Sequence, residues 1–134
     1  MTTRQDIELP QGSTWSFAFV HRDPDGAAIN VSNYSARMAI KAGFQSSYEA
    51  FLSSGSDADG GSITLAADGT VTLSMTAAQS AKMAGDLTFF IFFEPAERVE
   101  LVVHFMYDLE LVSPAGAVVR ALEGRFIVQR EVTS

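Results

Sequence analysis

Large apolar and small residues alternate at the first clear element of the chain, where Trp15, Phe17 and Phe19 are separated by Ser16 and Ala18. A period of two puts one side-chain set on one face of a sheet, so the segment predicts a strand with an aromatic face. Asp23-Pro24-Asp25-Gly26 ends it: proline presets φ at the second turn position and glycine stands at the fourth. Ala36, Met38 and Ile40 then alternate with Arg37, Ala39 and Lys41, which predicts a second strand, and a shorter one is expected over residues 48–52. Residues 53–62 are a run of Ser, Gly, Asp and Ala with no apolar anchor and read as an exposed loop tip.

Ile63 and Leu65, then Val71, Leu73 and Met75, flank Asp68-Gly69, a strong hairpin signal. Thr76-Ala77-Ala78-Gln79 has capping-box spacing and opens an alanine-rich stretch that Gly85 can close, so about two turns of helix are expected. Strand patterns return over residues 87–93, 99–111, 117–122 and 125–132, with breaks at Glu94-Pro95, Ser113-Pro114-Ala115-Gly116 and Glu123-Gly124. Many short strands with regular turns predict an all-β fold, specifically an immunoglobulin-like antiparallel β-sandwich with one short helix.

Length and composition narrow what such a domain does. The 134 residues suit one domain, 1–134, and the 47% hydrophobic and 19% charged content is that of a folding chain. Sixteen acidic against nine basic residues give a net charge of −7, which repels phosphate backbones and argues against nucleic acid as a partner. There is no cysteine, so disulfides, thiolate metal sites and thiol nucleophiles are excluded. The first ten residues lack the apolar run of a signal peptide, and the most apolar stretch, 87–93, is far short of the roughly 20 residues of a membrane span. Neither a leader nor a span is expected.

Candidate chemistry is sparse. His21 shares a face with Phe19, and His104 with Met106, but two histidines without matched carboxylates read as structural or interface residues. Asp57-Ala58-Asp59-Gly60 resembles the start of a calcium loop but lacks the next acidic position and the closing glutamate. Gly-x-Ser-x-Gly, phosphate-loop and dinucleotide-binding patterns are absent, and Glu94, Glu97, Glu100, Glu110, Glu123 and Glu131 are scattered. No catalytic, metal or cofactor residues are expected.

The most unusual segment is Leu87-Thr88-Phe89-Phe90-Ile91-Phe92-Phe93, which offers aromatics to both faces of a strand. Two readings stand: a central strand covered on both sides within the domain, or a protein interface anchored by Phe89, Phe90, Phe92 and Phe93. A glycan-binding module, with Trp15, Tyr34 or Tyr48 stacking on sugar rings, is a lesser alternative, because Trp15 alternates into the apolar face and is expected in the core.

Three sequence pieces together resemble a family of small structural proteins of tailed bacteriophages. They are Gln11-Gly12-Ser13-Thr14-Trp15; then Asp25-Gly26 with Ile29-Asn30-Val31-Ser32-Asn33-Tyr34-Ser35-Ala36-Arg37-Met38; and Tyr107-Asp108-Leu109-Glu110-Leu111, followed by Gly116-Ala117-Val118-Val119-Arg120 and Glu123-Gly124-Arg125-Phe126-Ile127-Val128. More distantly, the chain is similar to the N-terminal attachment domain of baseplate upper proteins. The resemblance implies a virion component, made in the host cytoplasm, that joins tail, baseplate or fibre parts by contacts with other virion proteins and copies of itself. A head-decoration or neck position has the same implied fold and charge. In the family pattern the short helix leads almost directly into Tyr-Asp-Leu-Glu-Leu, whereas here residues 87–104 intervene and read as an added hairpin. The resemblance implies no catalytic residues.

Overall fold

A computed structural model describes residues 3–41, 48–55, 60–83 and 102–129. In chain order these form β1 (Thr3–Arg4), β2 (Ile7–Pro10), β3 (Trp15–Val20), β4 (Ser35–Lys41), β5 (Tyr48–Ser53), β6 (Ser62–Leu65), β7 (Thr70–Met75), α1 (Ala77–Ala81), β8 (Val102–Val112) and β9 (Val118–Gln129). The chain is all-β, as its alternation predicts. The strands make one hydrogen-bonded path, β1-β9-β8-β4-β5-β6-β7-β3, with β2 also paired to β9. Most neighbours are antiparallel, but β1 and β2 run parallel to β9, and β5 meets β6 in parallel at the single pair Ser53–Ser62. Among the described residues the result is a curled mixed sheet with one short helix, an all-β arrangement in which a closed immunoglobulin-like sandwich is not confirmed.

Local chemistry accounts for the tight connections. Between β6 and β7, the Asp68 carboxylate accepts the Thr70 N–H at 3.0 Å, and Gly69 takes the φ of 91° that the loop needs. Hydrogen bonding from Thr70, its side chain first and then its backbone N–H, holds the Asp68 carboxyl below its ordinary pKa. In α1, Thr76 Oγ1 accepts the Gln79 N–H at 3.1 Å and Gln79 Oε1 accepts the Thr76 N–H at 2.9 Å, the reciprocal bonds of a capping box. The helix is shorter than expected, five residues, because Lys82 and Met83 already bond back to Gln79 and Ser80 three residues earlier. Ser80 Oγ donates to Ser13 O at 2.7 Å and ties the helix to the approach to β3.

The C-terminal strands depart from the expected pattern in an informative way. The glycine at Glu123-Gly124 predicts a break, but β9 runs through it without interruption. Gly124 is there because another backbone crosses: a Cβ on it would run into the Gln5 carbonyl and come within 3.1 Å of Asp6 Oδ1. Gln5 N–H donates to Glu123 O at 2.8 Å and Arg125 N–H to Asp6 Oδ1 at 3.0 Å, so the link between β1 and β2 is sewn to β9 at that glycine. A bulge then shifts the alternation, since Leu109 faces Leu122 while Glu110 faces Arg120. Ala121 is the extra residue, and Ala121 and Leu122 are consecutively buried. The Ser113–Gly116 turn forms as expected, with Gly116 N–H donating to Ser113 O at 2.9 Å. The strand expected over 87–93, most of the hairpin around 87–104, the helix-closing Gly85 and the acidic pair Asp57 and Asp59 lie outside the described residues.

The concave face of the sheet holds the core. Phe126, Leu9, Met38, Ile40, Leu52, Leu73, Leu109 and Leu111 are fully buried. The curl brings the far ends of the path together at one place. Trp15 of β3 packs edge-on against Phe126 of β9, with centroids 5.6 Å apart at 76°, and its Nε1 donates to Glu8 O of β2 at 3.1 Å. Trp15 is buried, as its position in the alternating aromatic face predicts, whereas Phe17 and Phe19 on the same face are only half-buried. The curl therefore closes at Trp15 and opens towards the other end of β3.

Candidate functional site

The opening forms a cleft of about 560 Å³. Its apolar walls are Phe19 and Val20 from β3, Ile29 from the segment after the turn, and Val119, Ala121 and Leu122 from β9. Val119 explains the geometry well. It faces Leu111, which is buried, yet Val119 is 38% exposed because nothing among the described residues closes the curl over it. Val118 beside it is 51% exposed but, as its strand neighbour, points to the other face of the sheet, so Val119 alone of the pair lines the cleft.

The charged groups at the mouth, Arg22 and Asp23, are engaged in holding the turn. Asp23 Oδ1 accepts the N–H groups of Asp25 and Ala27 at 2.9 Å each, and Arg22 Nη1 donates to Gly26 O at 2.9 Å. His21 lies in the cleft wall, and partial burial holds its pKa below the ordinary histidine value. The unfolded chain therefore takes up the imidazole proton first as pH falls. The contribution of neutral His21 to stability is present above about pH 6.5 and is lost as pH drops through that value towards the lower folded pKa. His21→Gln is expected to flatten the fall in urea midpoint between pH 7.5 and 5.5 relative to wild type; parallel pH profiles for the two proteins would refute this.

A second, shallower depression of about 320 Å³ lies beside the helix and is lined by Thr14, Trp15, Ser16, Ser62, Ser74, Met75, Thr76 and Gln79. Ser62 and Ser74 hydrogen-bond each other at 2.8 Å, while Thr76 and Gln79 are used in the cap. No charged side chain lines it. On the convex face, Arg37 Nε meets Glu110 Oε1 at 2.7 Å, and Arg120 stands 4.0 Å from Asp108. Both pairs are solvent-screened and contribute little.

The sequence-derived candidates fall as follows. Phe89, Phe90, Phe92 and Phe93 lie outside the described residues. His21 is in the cleft, while His104 is exposed on β8, opposite Ile127 of β9. Among the described residues no three His, Asp or Glu side chains gather where they could hold a metal ion. Trp15 is buried and its indole N–H is occupied, so its ring is not a platform for a sugar; Tyr34 packs half-buried on the core. The cleft itself was not foreseen. Its residues read as ordinary strand and turn positions, and the one available signal was the adjacent pair Val118-Val119, which breaks alternation.

No helix among the described residues is long and apolar enough to cross a membrane. A comparison with protein-family models finds no match, and a comparison with curated proteins finds none either.

Proposed function

We propose that this chain is a structural component of a bacteriophage virion that joins tail, baseplate or fibre parts through protein-protein contacts, without catalytic activity or a cofactor. The setting rests on the sequence resemblance. The observation that carries the contact reading is the apolar cleft with Val119 exposed in its wall. Exposed apolar surface beside a concavity is where a partner gains most by excluding water. The charged groups in the cleft wall, Arg22 and Asp23, are bound into the turn, which favours an apolar occupant over a reacting substrate. A sugar-binding role is disfavoured by the burial of Trp15.

The test is composition. Purified particles of the phage or prophage that carries the gene are expected to contain the chain at fixed stoichiometry, and crosslinking followed by mass spectrometry should join β9 residues near Val119 to another virion protein. Absence from purified particles would overturn the virion assignment.

A further inference from the structure

The two edges of the strand path are treated very differently by the sequence. One edge is β1 and β2, strands of two and four residues that carry Arg4, Glu8 and Pro10 and are interrupted at Gln5-Asp6. Short strands, charge and proline are the usual means of keeping an edge from pairing with another chain. The other edge, β3, has none of them. Its six residues, Trp15-Ser16-Phe17-Ala18-Phe19-Val20, contain no charge and no proline, and its pairing with β7 is regular throughout.

The hydrogen-bond phase shows which groups this edge presents. The pairing of β3 with β7 extends to His21, whose N–H donates to Gly69 O at 2.9 Å. Bonded and non-bonded pairs alternate in an antiparallel ladder, so Phe19 and Phe17 direct their N–H and C=O groups to β7. Ser16, Ala18 and Val20 direct theirs away from it. Among the described residues no backbone or side-chain group bonds to them. The cleft adjoins the Val20 end of this unpaired edge.

We propose that the free edge of β3 is a strand-acceptor site, which takes an extended segment of a different virion protein and completes the curl over the cleft. This deepens the contact reading above and rests on it. The occupant is defined by three features. It must be extended, because the edge offers backbone donors and acceptors at strand spacing. Every second side chain must be apolar, because residues opposite Phe17 and Phe19 point into the space bounded by Val119 and Leu122, while those opposite Ala18 point outward beside Thr72. It should carry basic rather than acidic ends, because in the Arg22–Asp25 turn at the open end two carboxylates outnumber the one guanidinium, which is held on Gly26 O, and the chain has a net charge of −7. The same net charge opposes a second copy of this chain as the occupant.

The test uses the isolated chain, so its outcome is separate from whether the chain is found in particles. The probe is a synthetic peptide, Lys-Thr-Val-Thr-Val-Thr-Val-Thr-Lys, at millimolar concentration, with a control of the same length bearing a central proline and aspartate at both ends. Residue-resolved amide exchange is read by NMR. With the probe, the amides of Ser16, Ala18 and Val20 are expected to slow by roughly tenfold or more, while those of Phe17 and Phe19, already bonded to β7, change little. The control should leave all five unchanged. Ala18→Pro removes a free-edge N–H and no bond to β7, so it should keep the circular dichroism of the wild type and abolish the protection. Unaltered exchange at Ser16, Ala18 and Val20 in the wild-type chain, or equal protection in a folded Ala18→Pro variant, would overturn the proposal.

Discussion

Phe126→Ala is expected to cost about 3–5 kcal/mol, the usual range for removing a buried aromatic ring and leaving its cavity. That is a large part of the roughly 5–15 kcal/mol available to a domain of this kind. Phe126 has no exposed surface and stands where the curl closes, edge-on to Trp15 on one side and to Tyr107, at 6.3 Å and 77°, on the other. Losing it unseats both partners. Trp15 would lose the ring that holds its indole near Glu8, and Tyr107 would lose support for the bond from its hydroxyl to Gln5 O. Burial raises the Tyr107 pKa far above its ordinary value, so the hydroxyl remains a neutral donor across the accessible pH range. Urea unfolding followed by Trp15 fluorescence gives the number directly; a loss below about 1 kcal/mol would mean that the surrounding core collapses into the space.

Gly124→Ala is expected to cost about 2–4 kcal/mol, from overpacking together with a φ of +156° that an L side chain rarely adopts. Gly116→Ala is the matched comparison. It too has a positive φ, 91°, but nothing lies within 4 Å of its missing Cβ, so only the conformational cost of about 1–2 kcal/mol remains. Thermal melts of the two variants separate the effects. If Gly124→Ala is no worse than Gly116→Ala, the crossing of Gln5 over β9 is looser than described. Because the methyl group would push on Gln5 and Asp6, the loss should be accompanied by faster exchange of the Gln5 and Arg125 amides, which bond across that crossing.

Where one strand face is apolar and the other is not, the pattern of the chain is enough to read its structure. Trp15 to Phe19, Ala36 to Ile40 and the hairpin around Asp68-Gly69 follow directly, because alternation and turn chemistry are local properties. The capping box at Thr76 is legible for the same reason. Gly124 shows where that reasoning stops. A glycine between two strand-like runs has the same local signature whether it turns the chain or makes room for a distant backbone, and the distant backbone here is Gln5. The pairing of β2 with β9 was equally hidden, since nothing in Ile7 to Pro10 announces a parallel partner more than a hundred residues away. The cleft follows from that long-range pairing. Val119 has the pattern of a core residue and faces a buried partner; it is exposed only because of how far the curl closes.

The pairing of Ile7, Glu8, Leu9 and Pro10 with Phe126, Ile127, Val128 and Gln129 sets an order of events during synthesis. β2 leaves the ribosome well before β9 and cannot be placed until β9, the last described strand, has followed. At about 5–20 residues per second, the roughly 120 residues between them take about 6–24 s to make. Hairpins such as β6–β7 can form in microseconds meanwhile, so the middle of the sheet can assemble around a vacancy. The newborn chain thus passes through a stage in which β9's eventual neighbour is free and β3's edge is already exposed. Slowing translation between β2 and β9 should lengthen that stage and raise the yield of aggregated chain, a cost incurred before the fold is complete.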